Sequence, residues 1–240
     1  MKAKERHELK QNEFATAALR VSAWVTANSQ RALTAAVAVA LVVALVAGIA
    51  WWRRQAANEA GGLLGAAVAI AQSPIAPAPT IPGAAQQAGT YPTEEARLTA
   101  TLEAYEAVIA AYPSSQAALT ARYSIASSLL DAGRAAEAEQ RFDEVIAAAG
   151  TSMYGPLARL GRGQALAAQD RHDEAIALFT ELSADRTSPL PVDGVLIQLA
   201  RTSARAGRTD EARAAFRRIV DEFPTSGYVA EARRELSRMG

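Results

Sequence analysis

The C-terminal part of the sequence repeats the same residue types every 37 residues. In each copy an aromatic residue follows a small residue by four positions and precedes an aliphatic residue by three. Residues three and four apart lie on one face of an α-helix, so each copy predicts a helix that buries a ring beside a small residue. The predicted repeat core consists of Thr101 and Tyr105, Ala138 and Phe142, Ala175 and Phe179, and Ala212 and Phe216.

Features of a partner helix precede each of these helices. Gly133 and Gly207 occupy the position between the two, where a left-handed backbone ends the first helix. Pro113 and Pro224 follow second helices, which proline cannot continue. The first helices carry their own small residues, which are Ala126, Gly163 and Ala200. This pattern predicts an all-α solenoid of stacked helical hairpins.

The repeat resembles the tetratricopeptide repeat, which has a small residue in its first helix and Ala-x-x-x-Phe in its second. The best-preserved copy consists of Ala200, Gly207, Ala212, Phe216 and Pro224. The family's first-helix tryptophan is replaced by Arg122, Arg159 and Leu196, and the period exceeds the usual length of about 34 residues. The resemblance covers roughly Thr93–Gly240 and implies a TPR-like scaffold that binds other proteins.

Composition argues against several classes of function. The chain has no cysteine, so disulfides, thiolate metal sites and cysteine nucleophiles are excluded. Its formal net charge is zero, which disfavours binding driven by nucleic-acid phosphates. His172 lies in a predicted solvated turn, and His7 lies in a charged tail. We therefore predict no catalytic residue, no metal, no cofactor, no small-molecule substrate and no nucleic-acid partner.

Residues 32–52 form an uncharged run of 21 residues, ALTAAVAVALVVALVAGIAWW. As a helix this run is roughly 31 Å long, which matches a hydrocarbon core of about 30 Å. Basic and aromatic residues of the kind found at membrane interfaces lie at its ends: Arg31, Trp51, Trp52, Arg53 and Arg54. The run predicts a single transmembrane helix over 32–54. A cleaved signal peptide is an alternative, because Gly48 and Ala50 are small residues before Trp51. A buried core helix is a second alternative.

The distribution of basic residues predicts the orientation. Six lie before the run and two directly after it, which places residues 1–31 in the cytoplasm and the repeats in the periplasm. Within the tail, Phe14, Ala18, Val21 and Val25 recur at helical spacing. They predict a short amphipathic helix at the membrane surface or a helix that docks on a partner; a weakly ordered tail is the alternative.

Residues 55–92 connect the predicted span to the repeat domain, 93–240. Residues 55–72 predict a helix that continues the span, and proline recurs through 73–92. One interpretation makes 55–72 the first helix of repeat one, with the loop inserted before its partner helix at Glu94–Ala111. The other is a plain linker, which Gly61, Gly62 and Gly65 favour. A last helix, Gly227–Met239, is predicted to cap the stack.

The tetratricopeptide register implies a concave groove lined by first helices. The groove residues implied are Tyr123, Ser127, Leu130, Leu160, Gln164, Ile197, Arg201 and Arg205. The implied ligand is an extended or helical protein segment that is partly apolar and acidic at one end. The convex face remains an alternative binding surface.

The order of cytoplasmic tail, Arg31–Arg54 anchor and repeat array resembles the ancillary subunit of the bacterial Sec translocon. That resemblance implies an inner-membrane protein whose partners are the translocon, periplasmic chaperones or subunits of a membrane complex. The Pro-Ser-Ser and Pro-Thr-Ser turns also resemble those of soluble periplasmic repeat proteins. The alternatives are a secreted soluble repeat protein and a structural accessory subunit of a larger membrane complex.

Overall fold

The computed structural model describes residues 27–78 and 85–240. Within these ranges the regular structure is helical, apart from one isolated bridge between Ile75 and Tyr91, which confirms the all-α class. The amphipathic segment predicted at Phe14–Val25 lies outside the described residues. The helices are α1 Ser29–Ala71, α2 Glu94–Ala111, α3 Gln116–Asp131, α4 Ala135–Ala148, α5 Tyr154–Ala168, α6 His172–Ala184, α7 Val192–Arg205, α8 Thr209–Glu222 and α9 Val229–Met239.

The chain divides into two compact units, residues 1–55 and 56–240. The described part of the first unit is the N-terminal part of α1, whose large apolar side chains are exposed. Among the described residues α1 is the one helix long and apolar enough to cross a membrane, judged by length and composition. A signal sequence near the N-terminus shares this length and composition.

In the second unit, the end of α1 joins the helical repeats. Ala60 and Ala67 are fully buried, and Ala67 shares an apolar cluster with Tyr105 and Val108 of α2. The hydroxyl of Tyr112 donates a hydrogen bond of 2.6 Å to the carboxylate of Glu59. Side chains of residues 56–71 therefore contact α2.

The remaining helices pair as hairpins α3–α4, α5–α6 and α7–α8, followed by α9. We call α3, α5 and α7 the A helices, and α2, α4, α6 and α8 the B helices. The rings of Phe142, Phe179 and Phe216 are at most 1% exposed. Tyr105 is buried as well, and so are Ala138, Ala175 and Ala212. One periodic set of side chains thus forms the core of every hairpin.

Each turn from an A helix to a B helix has the same backbone geometry. Gly133 and Gly207 have φ values of 77° and 74°, and Asp170 takes the equivalent position with φ 60°. The following amide donates to a carbonyl five residues earlier in all three turns, for example from Arg171 to Leu166 at 3.0 Å. The left-handed position therefore sets the angle between the two helices, and the middle turn, at Asp170, achieves it without glycine.

Helix α5 approaches two rings through glycine. A Cβ added to Gly161 would lie 2.4 Å from the ring of Phe142, and one added to Gly163 would lie 2.5 Å from the ring of Phe179. Phe142 belongs to the preceding hairpin and Phe179 to the same hairpin. The absence of side chains at these two positions lets α5 pack closely against both.

We expect Gly161→Ala to lower the free energy of unfolding by about 1–3 kcal/mol, because the added methyl group forces the buried Phe142 ring to move. Gly194→Ala, also in an A helix, is the matched control. Its Cβ would meet no atom closer than 4.0 Å, so its better helix propensity should raise stability by up to about 1 kcal/mol. Urea unfolding followed by circular dichroism measures both variants. If both substitutions changed the free energy of unfolding in the same direction, the close packing of Gly161 against the Phe142 ring would be contradicted.

Candidate protein-binding surface

Successive A helices contact each other directly. The rings of Tyr123 on α3 and Tyr154 on α5 lie 5.4 Å apart, and the Tyr154 hydroxyl is 2.9 Å from Thr120 Oγ1. Successive B helices are instead separated by open grooves that long side chains cross. One such bridge is the 2.8 Å ion pair between Arg141 and Glu106. Because the A helices are closer together than the B helices, the array curves with the A helices on its concave side.

Most of the predicted groove residues lie on the accessible part of the A helices. Tyr123 and Leu160 occupy equivalent positions 37 residues apart, as do Ser127 and Gln164. These four side chains and that of Leu130 are half-buried. They place apolar and polar groups at intervals along the concave surface.

Ile197 does not belong to this surface. It occupies the position equivalent to Tyr123 and Leu160, but it is fully buried in the apolar cluster that also contains Ala232 of α9. Its role is therefore in core packing between α7 and its neighbours. The sequence pattern placed it correctly on the helix but did not give its burial.

Arg201 is joined to a carboxylate of the last helix. Its Nε and Nη2 atoms donate to the two Glu231 oxygens at 2.8 and 2.7 Å, a bidentate geometry. Hydrogen bonding from Arg201 lowers the pKa of Glu231, and Arg234 contributes a smaller electrostatic effect in the same direction. The same pairing raises the pKa of Arg201. Arg205, one turn later, is exposed and has no ion pair among the described residues.

Arg122 and Arg159 occupy the position of the family's first-helix tryptophan. Their polar contacts lie outside the region where neighbouring A helices touch. Arg159 pairs with Glu181 of α6 at 2.6 Å, and Arg122 donates to the carbonyl of Pro113 at 3.2 Å. Leu196, at the third equivalent position, is buried. Polar contacts to the second helix or the loop thus replace an aromatic contact in two copies.

A periodic set of arginines, missed by the sequence reasoning, connects the B helices. Each member starts a B helix, pairs with the glutamate three residues later, and reaches an acid on the preceding B helix. The members are Arg134, Arg171 and Arg208, with Glu137, Glu174 and Glu211. Hydrogen bonds from the arginines lower the pKa values of Glu137 and Glu174. The signal in the sequence was Arg-x-x-Glu directly after the turn residue, repeated every 37 residues.

The groups considered for chemistry are not arranged as a reactive site in the described part of the chain. His172 lies at the start of α6, with Nε2 3.7 Å from a carboxylate oxygen of Asp170. Across residues 27–78 and 85–240, no group of three or more His, Cys, Asp or Glu side chains is placed to hold a metal ion.

Comparison with known families and structures identifies the repeats. Models of the tetratricopeptide repeat match residues 96–152, 123–189 and 166–236. A putative kinesin light chain of Podosopora anserina with nearly identical TPR-like repeats is similar in structure, with a TM-score of 0.51 and 17% identity over 61% of this chain and 79% of that one. A variant of the same protein matches equally, over 78% of its length. No curated protein matches this chain. At this identity the structures support the fold alone.

Proposed function

This chain is a tetratricopeptide-repeat protein over residues 96–236, and from that premise we propose that it is a membrane-anchored scaffold that binds proteins on its concave surface. Arrays of this kind are suited to protein–protein interaction, because identical hairpins present side chains at regular intervals along one curved face. The observation that supports the concave side is the half-buried set on the A helices, with Tyr123, Ser127, Leu160 and Gln164 at equivalent positions.

The proposed anchor is the N-terminal part of α1. Side chains such as Leu33, Val42 and Leu45 are 60–65% exposed, and a contiguous apolar surface of this kind requires lipid or protein around it. The flanking residues suit the two interfaces of a bilayer and are Arg31, Trp51, Trp52, Arg53 and Arg54.

We further propose a periplasmic position for the array in the bacterial inner membrane. Support comes from the excess of basic residues before the span, which the positive-inside rule assigns to the cytoplasm. The partners in this proposal are exported chains, the translocon, periplasmic chaperones or subunits of a membrane complex. The layout favours a role close to protein translocation or envelope assembly.

Site-specific photocrosslinking in native membranes tests the binding surface. We expect a photoreactive residue at Ser127 or Gln164 to capture a partner, because both side chains lie on the concave A helices. Ala177 and Ala214, exposed on B helices, are the matched controls and should capture none. Capture at Ala177 and Ala214 but not at Ser127 and Gln164 would move the binding surface to the convex face. Identification of the captured protein by mass spectrometry tests the proposed class of partner.

A further inference from the structure

We propose that the C-terminal end of the concave surface binds an acidic segment of the partner protein through Arg205, Arg234 and Arg238, arranged around the Arg201–Glu231 pair. This inference rests on the proposed function, and it adds Arg234 and Arg238 of α9 to the basic side chains that contact the acidic end of the partner. It assigns the acidic end of the ligand to α7 and α9.

The arginines come together because two helix faces meet at one ion pair. Arg201 and Arg205 are four residues apart and share a face of α7. Arg234 and Arg238 lie three and seven residues after Glu231 and share its face of α9. The bidentate contact of Arg201 with Glu231 joins these two faces directly, at 2.7–2.8 Å.

The charge of this cluster is opposite to that of its surroundings. It contains four arginines and two glutamates, Glu231 and Glu235, which gives a formal net charge of +2. Residues 91–240 as a whole contain 17 arginines against 21 acidic residues, a net charge of −4. A basic patch on an acidic domain is not a consequence of composition. It attracts carboxylates to one end of the surface and disfavours basic segments there.

Only part of this positive charge is neutralised within the chain. Arg201 is held by Glu231, and Arg238 lies 2.8 Å from Glu235. Arg205 and Arg234 are exposed and form no ion pair in the described ranges, so both guanidinium groups can donate hydrogen bonds to a carboxylate of a partner. The bidentate geometry at Glu231 is the one that an acidic side chain of a partner would adopt.

The other end of the surface differs in chemistry. Tyr123, Leu130 and Leu160 are half-buried apolar or aromatic side chains on α3 and α5. A segment with apolar residues at one end and acidic residues at the other would therefore bind in a single direction. Reversal of that segment would place carboxylates against Leu160 and aliphatic groups against the arginines.

The test measures binding of a fluorescent glutamate–serine peptide to the purified full chain in non-ionic detergent, by anisotropy. We expect Arg205→Glu with Arg234→Glu to weaken binding about tenfold, since two attractions become repulsions. Arg217→Glu with Arg233→Glu is the matched control. It changes the net charge equally at exposed positions of α8 and of a different face of α9, and should leave affinity within about twofold. Circular dichroism verifies that both variants remain folded.

The preference for acid is checked with a lysine–serine peptide of equal length, which should bind more weakly than the glutamate peptide. Equal loss of affinity in the two double variants would overturn the proposal, because it would reflect overall charge. Tighter binding of single-stranded DNA than of the glutamate peptide would assign the cluster to nucleic acid and also overturn it. Either result could occur while crosslinking at Ser127 and Gln164 succeeds, so this inference can fail without the proposed function.

Discussion

Phe179→Ala should lower the free energy of unfolding by about 3–5 kcal/mol. The ring is fully buried at the centre of the middle hairpin and lies over the backbone of Gly163. Since glycine has no side chain, nothing in α5 can fill the space that the ring leaves. A loss of this size is a large fraction of the stability of a domain and shifts the urea midpoint accordingly.

The effect of Phe179→Ala should extend beyond its own hairpin. In a repeat array each unit is stabilised by its neighbours, so weakening the middle unit also uncouples those on either side. Phe223→Ala removes the same side chain from a half-buried position and is the matched control. We expect a clearly smaller loss there. If both variants lost the same free energy, the periodic rings would not form the core that the 37-residue repeat predicts.

The repeat made the helices predictable because it placed equal residue types at equal positions in successive hairpins. Residues 37 positions apart, such as Phe142, Phe179 and Phe216, carry the same packing information three times, and all three rings are buried. The turn residues Gly133 and Gly207 gave the direction reversal in the same way. These features depend on residues close in sequence or at a fixed period, and both are visible without coordinates.

Contacts that depend on curvature were not predictable in this way. Arg201 was expected to line a groove, but its side chain pairs with Glu231, which lies 30 residues later on α9 and comes near because side chains of α7 and α9 pack together. Ile197 occupies the position of the repeat equivalent to Tyr123 and Leu160, yet it is buried. The position of a residue in the repeat predicts which face of the helix it lies on. Its burial depends in addition on which neighbouring helix covers that face.

Gly161 and Gly194 illustrate the same limit. Both are glycines within A helices, but they occupy different positions of the 37-residue repeat. A Cβ added to Gly161 would lie against the Phe142 ring, whereas one added to Gly194 would meet no atom closer than 4.0 Å. The residue type does not give this difference, which depends on where the preceding B helix lies.

Val42→Arg should strongly reduce membrane insertion of the proposed span. Val42 lies in the middle of the uncharged run 32–52 and is 60% exposed. An arginine near the centre of a transmembrane helix costs about 2.5–3.5 kcal/mol, which corresponds to roughly a hundredfold change in the insertion equilibrium. Fractionation of cells into membrane and soluble pools measures the result. Leu33→Arg is the matched control, since a cation near the end of the helix reaches the interface and should insert almost normally.

Three measurements on the unmodified chain decide what a change in fractionation means. An intact mass that includes Met1 supports the N-terminal part of α1 as a membrane anchor. A mature chain that starts near Trp51 identifies that part as a cleaved signal peptide and refutes the anchor. Extraction by detergent but not by high salt identifies an integral protein, because salt screens surface charges and leaves apolar burial in lipid intact. Protease added to spheroplasts should digest the repeat array. Protection of the array there would place it in the cytoplasm and reverse the orientation proposed from the basic residues.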